Sequence, residues 1–120
     1  MKRAAFEALV AEALDDIPEE FSRYIENVTV VVEDEPSPAL LQDLDMDPRH
    51  DALYGLYQGV PLDERPHDFT ALPDRITIFA GPLLRDFSPR QLRRQIQLTV
   101  VHEIAHFFGL DEDAIRRMGY

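Results

Sequence analysis

The sequence predicts an α+β domain, a small mixed sheet of about three or more strands packed against helices. Three observations carry this expectation. A β-branched run, Val28-Thr29-Val30-Val31-Val32, is followed by two further strand-like runs at Leu53–Gln58 and Arg75–Ala80; amphipathic helical stretches precede that block; and a long helical stretch, Ser88 to Phe108, follows it. Strands gathered in one block with helices on either side favour α+β over the strict alternation of a doubly wound sheet. The 120 residues are expected to form a single domain, 1–120, since a chain of this length holds one core.

From Lys2 to Asp16 the apolar residues Ala5, Phe6, Leu9, Val10, Ala13 and Leu14 recur at helical spacing along one stripe. Pro18 opens a second short helix, because a first-turn proline loses no needed N–H, and Phe21, Tyr24 and Ile25 supply its apolar face. The valine-rich strand stops at Glu33-Asp34-Glu35-Pro36 and reads as a central strand. Residues 35–52 carry prolines and the acids Asp43, Asp45, Asp47 and Asp51, and read as loop with one helical turn. The second strand contains Gly55, which suggests a place where another backbone approaches closely, and an exposed edge. A long proline-rich and charged connection leads to the third strand, closed by Gly81-Pro82. Ser88-Pro89-Arg90-Gln91 is a capping box with proline at the first helical position, and Gly109 suits the left-handed residue that ends the helix. Asp111-Glu112-Asp113 then starts a short last helix that runs to Tyr120.

Composition excludes several functions. With no cysteine there is no disulfide framework, no Cys-based zinc finger and no thiolate nucleophile. The net charge of −11 repels phosphate backbones, so nucleic acid is not an expected partner. That charge is uneven, −13 over residues 1–74 and +2 over residues 75–120. Met1-Lys2-Arg3 looks like the head of a signal peptide, but Glu7 and Glu12 interrupt the apolar stretch behind it, so this stretch is expected to be a mature helix. No run of apolar residues is long enough to span a bilayer, and the expected location is the cytoplasm, with no membrane partner.

The chemistry lies in His102-Glu103-Ile104-Ala105-His106, an H-E-x-x-H sequence inside the long helix. Residues four apart share a helical face, separated by about 6 Å of rise, so two imidazoles there can turn toward one ion. Glu103 lies about 100° around the helix from His102 and reaches a water on that ion without being a ligand. A catalytic zinc takes three protein ligands and leaves one position for water. Only eight residues follow Glu112, so a ligand from a later long helix is not expected and the search narrows to the turn. There Gly109 can reverse the backbone and return an acid over the histidines: Glu112 at the spacing H-E-x-x-H-x-x-G-x-x-E, then Asp113, then Asp111. A purely structural account would leave the histidines on a helix surface, pair Glu103 with an arginine and make the three acids caps. Against it, Val100, Val101, Ile104, Phe107 and Phe108 make this an apolar stretch, where unpartnered polar groups are costly.

Other positions carry less. His50 and His67 read as solvated loop histidines, Arg90, Arg93 and Arg94 as a solvated helix face, and Met118 as packing. Tyr54, Tyr57 and Tyr120 are candidates to polarise a substrate carbonyl.

His102 to Glu112, with Leu53-Tyr54-Gly55-Leu56-Tyr57-Gln58-Gly59-Val60-Pro61-Leu62 and Pro73 to Phe79, resembles the small zincin-like metallopeptidase family over about half the chain. The resemblance implies a minimal zincin fold with the motif on a long C-terminal helix. It also implies one Zn²⁺ on His102 and His106, Glu103 as general base and Glu112 as third ligand. The sequence departs from the metzincin pattern in carrying an acid where that pattern has a third histidine. The expected reaction is peptide-bond hydrolysis by metal-activated water, on a peptide or protein substrate held at Tyr54, Gly55, Leu56 and Tyr57 along a strand edge, by a monomer. Two other readings compete. One is a peptide- or protein-binding module with a vestigial or weakly loaded metal site. The other is a metal-dependent ribonuclease, because the rRNA-maturation endoribonucleases have a similar H-x-x-x-H-x-x-G-x-D-H arrangement matched by Asp111; that pattern has glycine where Glu103 stands and histidine where Glu112 stands, and the acidic charge opposes RNA.

Overall fold

The structure, a computed structural model, describes residues 1–59 and 74–120. Among these residues three strands form one mixed sheet in the order β1-β3-β2, with β1 at Val28–Glu33, β2 at Gly55–Gln58 and β3 at Asp74–Phe79. β1 runs parallel to β3, Val28 opposite Asp74 and Glu33 opposite Phe79. β2 runs antiparallel to β3, Gly55 opposite Ile78 and Gln58 opposite Arg75. The central strand is therefore β3, whose Ile76, Thr77, Ile78 and Phe79 are all buried, and not the valine-rich β1. A continuous β-branched run reports apolar surroundings on both faces of a strand, not a neighbour on both edges. At β1 those surroundings come in part from α1 (Arg3–Asp15): Val30, Val31 and Val32 share a shallow groove with its Val10 and Leu14. The outer end of β1 is tied down by Arg3, whose guanidinium donates to the Val32 carbonyl and to Asp34.

The helices are α1, the short α2 (Glu19–Ser22) that continues as a 3₁₀ turn over Arg23–Ile25, α3 (Pro38–Asp43), α4 (Ala80–Asp86), α5 (Pro89–Phe108) and α6 (Glu112–Arg117). α3 starts as α5 does, on a serine followed by proline: Ser37 Oγ accepts from the Leu40 N–H at 3.1 Å. In α5 the capping box is complete, with the Ser88 N–H donating to Gln91 Oε1 at 2.9 Å, and Gly109 ends the helix at φ +67°. α4 departs from expectation, because Gly81-Pro82 does not close a strand but sits in the first turn of a helix. Proline is tolerated there for the same reason as at Pro18 and Pro89. Gly81 is required by proximity: a Cβ on it would lie 2.6 Å from the Asp34 carbonyl oxygen and closer still to the Glu35 carboxylate. Gly81→Ala is accordingly expected to cost about 1–3 kcal/mol of stability by overpacking, measured by urea denaturation. Gly109→Ala meets no atom within 4 Å and should cost only the left-handed backbone penalty of about 1–2 kcal/mol.

One buried cluster joins Phe6, Val10 and Ala13 of α1 to Ile76 and Ile78 of β3 and to the i, i+4 stripe Leu92, Ile96, Val100 and Ile104 of α5. Each side chain there larger than alanine contributes about 1.5–3 kcal/mol through burial. α5 is fixed against α1 by a buried polar contact, the Gln97 amide donating to the Ala13 carbonyl at 3.0 Å, and by Arg93, which pairs with Glu12 and Asp16. The first half of α5 is thus fixed against α1 before the motif is reached. Among the described residues no helix is long and apolar enough to cross a membrane. His67, the proline-rich connection before β3 and the part of the Leu53–Leu62 stretch beyond Gly59 lie outside the described residues.

Candidate active site

His102, Glu103 and His106 occupy the last two turns of α5. Beyond Gly109 the chain reverses: the Leu110 N–H donates back to the Ala105 carbonyl at 2.9 Å, and the Asp111 carboxylate caps α6 by accepting from the Asp113 and Ala114 N–H groups at 3.0 and 3.3 Å. This reversal sets Glu112, the first residue of α6, against the motif. Its Oε1 lies 2.8 Å from His106 Nε2 and 3.6 Å from His102 Nδ1. The other two acids are engaged elsewhere, Asp111 as the cap and Asp113 with Arg116 at 3.3 Å. Of the three acids that sequence spacing leaves open, Glu112 is therefore the one beside both imidazoles.

His102 has a second partner, which sequence spacing does not foretell. Its Nε2 stands 2.7 Å from the main-chain oxygen of Tyr120, and its side chain is 29% exposed against 63% for His106. Glu103 turns the other way, toward β2. Burial pushes its carboxyl above the usual carboxylate range; the His106 imidazole, the Tyr57 main-chain N–H and the His102 imidazole pull it part of the way back. A carboxyl so placed is poised to take a proton nearer neutral pH than an ordinary glutamate would.

Next to Glu103 lies a groove of about 380 Å³ between α5 and the start of β2. Gln95, Leu98, Thr99 and His102 line its floor at i, i+3, i+4 and i+7, one face of the helix, and Leu53, Tyr54 and Gly55 form its rim. Gly55 permits this proximity. A Cβ there would lie 2.6 Å from Thr99 Cγ2 and 3.1 Å from the Thr77 carbonyl oxygen, so the close neighbours are a helix side chain and the adjoining strand. Gln95, Leu98 and Thr99 escaped the sequence reading, although their spacing back from His102 was available to find them.

The substrate-binding candidates divide. Tyr54 lines the groove, but its hydroxyl donates to Asp86 at 2.5 Å, and burial together with that carboxylate pushes the phenol up to about 12. The buried Tyr57 donates to Asp74 at 2.7 Å and stacks on Phe107 at 4.0 Å between ring centroids. Leu56 is half-buried in the edge strand, and Gly55 is buried against α5. Tyr120 offers its main-chain oxygen to His102 while its ring lies between Phe21 and Arg94. His50 is exposed beside Asp47 at 3.8 Å. Arg93 is paired with Glu12 and Asp16 and Arg94 lies over the Tyr120 ring, so neither is simply a solvated charge, and Met118 is half-exposed rather than packed.

The donor set has the chemistry of a zinc site, two imidazoles and a carboxylate. Among the described residues no three such groups stand at distances that would hold an ion between them. Instead His106 Nε2 stands directly against Glu112 Oε1 at 2.8 Å, and a cation there would compete with a proton for the same atoms.

A family model described as zincin-like metallopeptidase matches residues 25–120, from the 3₁₀ turn through the sheet to α6. Among solved structures, a conserved hypothetical protein from Thermus thermophilus is similar in fold. Its TM-score is 0.55 at 23% identity, with 97% of this chain and 99% of that chain covered. No curated protein matches the chain. With its sheet, motif helix and turn all inside the matched span, the chain belongs to the zincin-like metallopeptidase family.

Proposed function

We propose that the protein is a zinc-dependent peptidase, with His102, His106 and Glu112 holding the ion and Glu103 acting as general base. The observation that carries this reading is the approach of both motif imidazoles to one carboxylate oxygen of Glu112, at 2.8 and 3.6 Å, while Glu103 turns away from Glu112 toward the groove beneath β2. Asp113 is set aside as third ligand because its carboxylate is paired with Arg116. Bound among these residues, zinc would supply Lewis acidity for a peptide carbonyl and ease the ionisation of water. Glu103 accepts the proton of the attacking water and returns it to the leaving amine, a two-way role that its raised carboxyl pKa suits.

The substrate is a peptide or protein lying along the outer edge of β2, the edge opposite β3. Main-chain hydrogen bonds there give affinity with little sequence preference, and the groove floor of Leu98 and Thr99 receives a side chain. Hydrogen exchange tests the edge role. A bound peptide should protect amides within Leu53 to Gln58, whereas unchanged exchange across that stretch contradicts it.

The close approach of His106 to Glu112 also suits a second reading, a peptide-binding module whose metal site is weakly loaded. A mixed peptide library with added zinc discriminates the two. Cleavage by the native protein that is lost in both Glu103→Ala and His106→Ala supports the enzyme, and no cleavage at saturating zinc supports the module. A ribonuclease is disfavoured by the family match and by Glu103, which stands where that pattern carries glycine.

A further inference from the structure

The ladder pattern shows which way the main chain of β1 faces. The Phe79 N–H donates to the Tyr54 carbonyl at 2.9 Å, so Phe79 and Thr77 turn their main-chain groups toward β2, and Ile76 and Ile78 turn theirs toward β1. In the parallel register Ile76 stands opposite Val30 and Ile78 opposite Val32, so these two bond to Thr29, Val31 and Glu33. Val28, Val30 and Val32 therefore point their N–H and carbonyl groups away from the sheet. The Val32 carbonyl agrees with this direction, since Arg3 of α1 donates to it. Along this outer edge runs a groove of about 480 Å³, lined by Val30, Val31 and Val32 and by Glu7, Val10, Ala11 and Leu14 of α1. Its surroundings are acidic. Asp15 follows Ala11 one turn along the same helix face, and Glu33 and Asp34 end the strand, all three exposed. Against these carboxylates and Glu7 stands Arg3, which lies 3.8 Å from Glu7 and 2.7 Å from Asp34.

We propose that the outer edge of β1 and the groove beside it form a docking site for an extended segment of another protein, one that carries apolar and basic side chains in alternation. The outward main-chain groups of Val28, Val30 and Val32 pair with the incoming strand, and its apolar side chains enter the groove against Ala11 and Leu14. Its basic side chains lie in the field of Glu7, Asp15, Glu33 and Asp34. The same charges decide against a second copy of this chain, which would bring its own four carboxylates to the seam and juxtapose like charges. β3 separates this edge from β2, so the site is distinct from the substrate edge and does not rest on the proposed catalytic function.

The test is amide hydrogen exchange of the native protein, read residue by residue by NMR, with and without a synthetic peptide that alternates lysine and valine. In the free protein Val30 and Val32 should exchange faster than Val31 and Glu33, and equal protection of the two pairs overturns the open edge. The peptide should slow Val30 and Val32, and should do so less as salt is raised, whereas a peptide alternating glutamate and valine should leave them unchanged. Protection by both peptides, by neither, or at the β2 edge alone overturns the proposal. Val30→Pro removes an outward N–H, blocks the edge and spares the ladder to β3, so it should weaken binding of the lysine–valine peptide by about tenfold or more. Should Val30→Pro fail to fold, Ala11→Phe fills the groove from an exposed helix position and should weaken the peptide in the same direction. Unchanged affinity in every folded variant overturns the proposal. Exchange at Val30 and Val32 that slows with protein concentration alone, together with a dimer in sedimentation, overturns the choice of partner in favour of a second copy.

Discussion

Replacing Glu103 with glutamine is expected to lower peptide hydrolysis by about 10²–10⁴-fold, the usual worth of a general base, while leaving zinc affinity unchanged. The separation follows from geometry. Glu103 shares α5 with the histidines but turns toward the groove beneath β2, whereas the Glu112 carboxylate lies 2.8 and 3.6 Å from the two rings. Glutamine keeps the size and the capacity to accept from the Tyr57 N–H, and loses only the basic oxygen. The same variant has a pH signature in the metal-free protein. Burial raises the folded carboxyl above its unfolded value, so between those two values the folded state binds more protons and stability falls as pH rises. Glutamine has no charge to bury. Glu103→Gln should therefore raise the urea midpoint at pH values above that window and change it little below the ordinary carboxylate range. An equal shift at all pH values would mean that the buried charge is not the cause.

Replacing Glu112 with glutamine should weaken zinc binding by more than the ~10–100-fold that the loss of an outer partner costs, because a first contact to the ion is removed. Asp113→Asn and Asp111→Ala provide the contrast. The first breaks a surface pair with Arg116 and should leave affinity unchanged. The second removes the cap of α6 and should cost about 1 kcal/mol of stability, with a lesser loss of affinity through the misplaced turn. Zinc binding should also weaken as pH falls, since both imidazoles and the carboxylate must give up protons to the ion. Isothermal titration of the three variants against native protein reads the affinities, and urea denaturation reads the stability of the Asp111 variant. Equal affinity in native and Glu112→Gln would remove Glu112 from the ligand set.

The motif helix was legible because its signals are local. A serine cap, a first-turn proline, Gln91 and a terminal glycine each act within one turn, and α5 begins and ends where they stand. The turn after Gly109 was legible for the same reason, and with it the return of Glu112 over the histidines. What escaped the sequence depends on contacts between distant residues. The valines of β1 gave burial but not ladder position, which β3 takes because it has a neighbour on each side. Gly81-Pro82 carried a turn signal that a helix start satisfies equally well, and only the close approach of Asp34 distinguishes the two. The Tyr120 oxygen on His102 lies 18 positions from its partner and is a main-chain atom, which no side-chain pattern reports. The groove floor was within reach, since Gln95, Leu98 and Thr99 share one helical face with His102.

The most direct measurement is a crystal structure of the protein soaked with zinc. One ion is expected about 2.0–2.2 Å from a nitrogen of His102, a nitrogen of His106 and an oxygen of Glu112, with the Glu103 carboxylate outside that coordination shell and facing the groove. An ion bound elsewhere, or one that takes Glu103 as a ligand in place of Glu112, would contradict it.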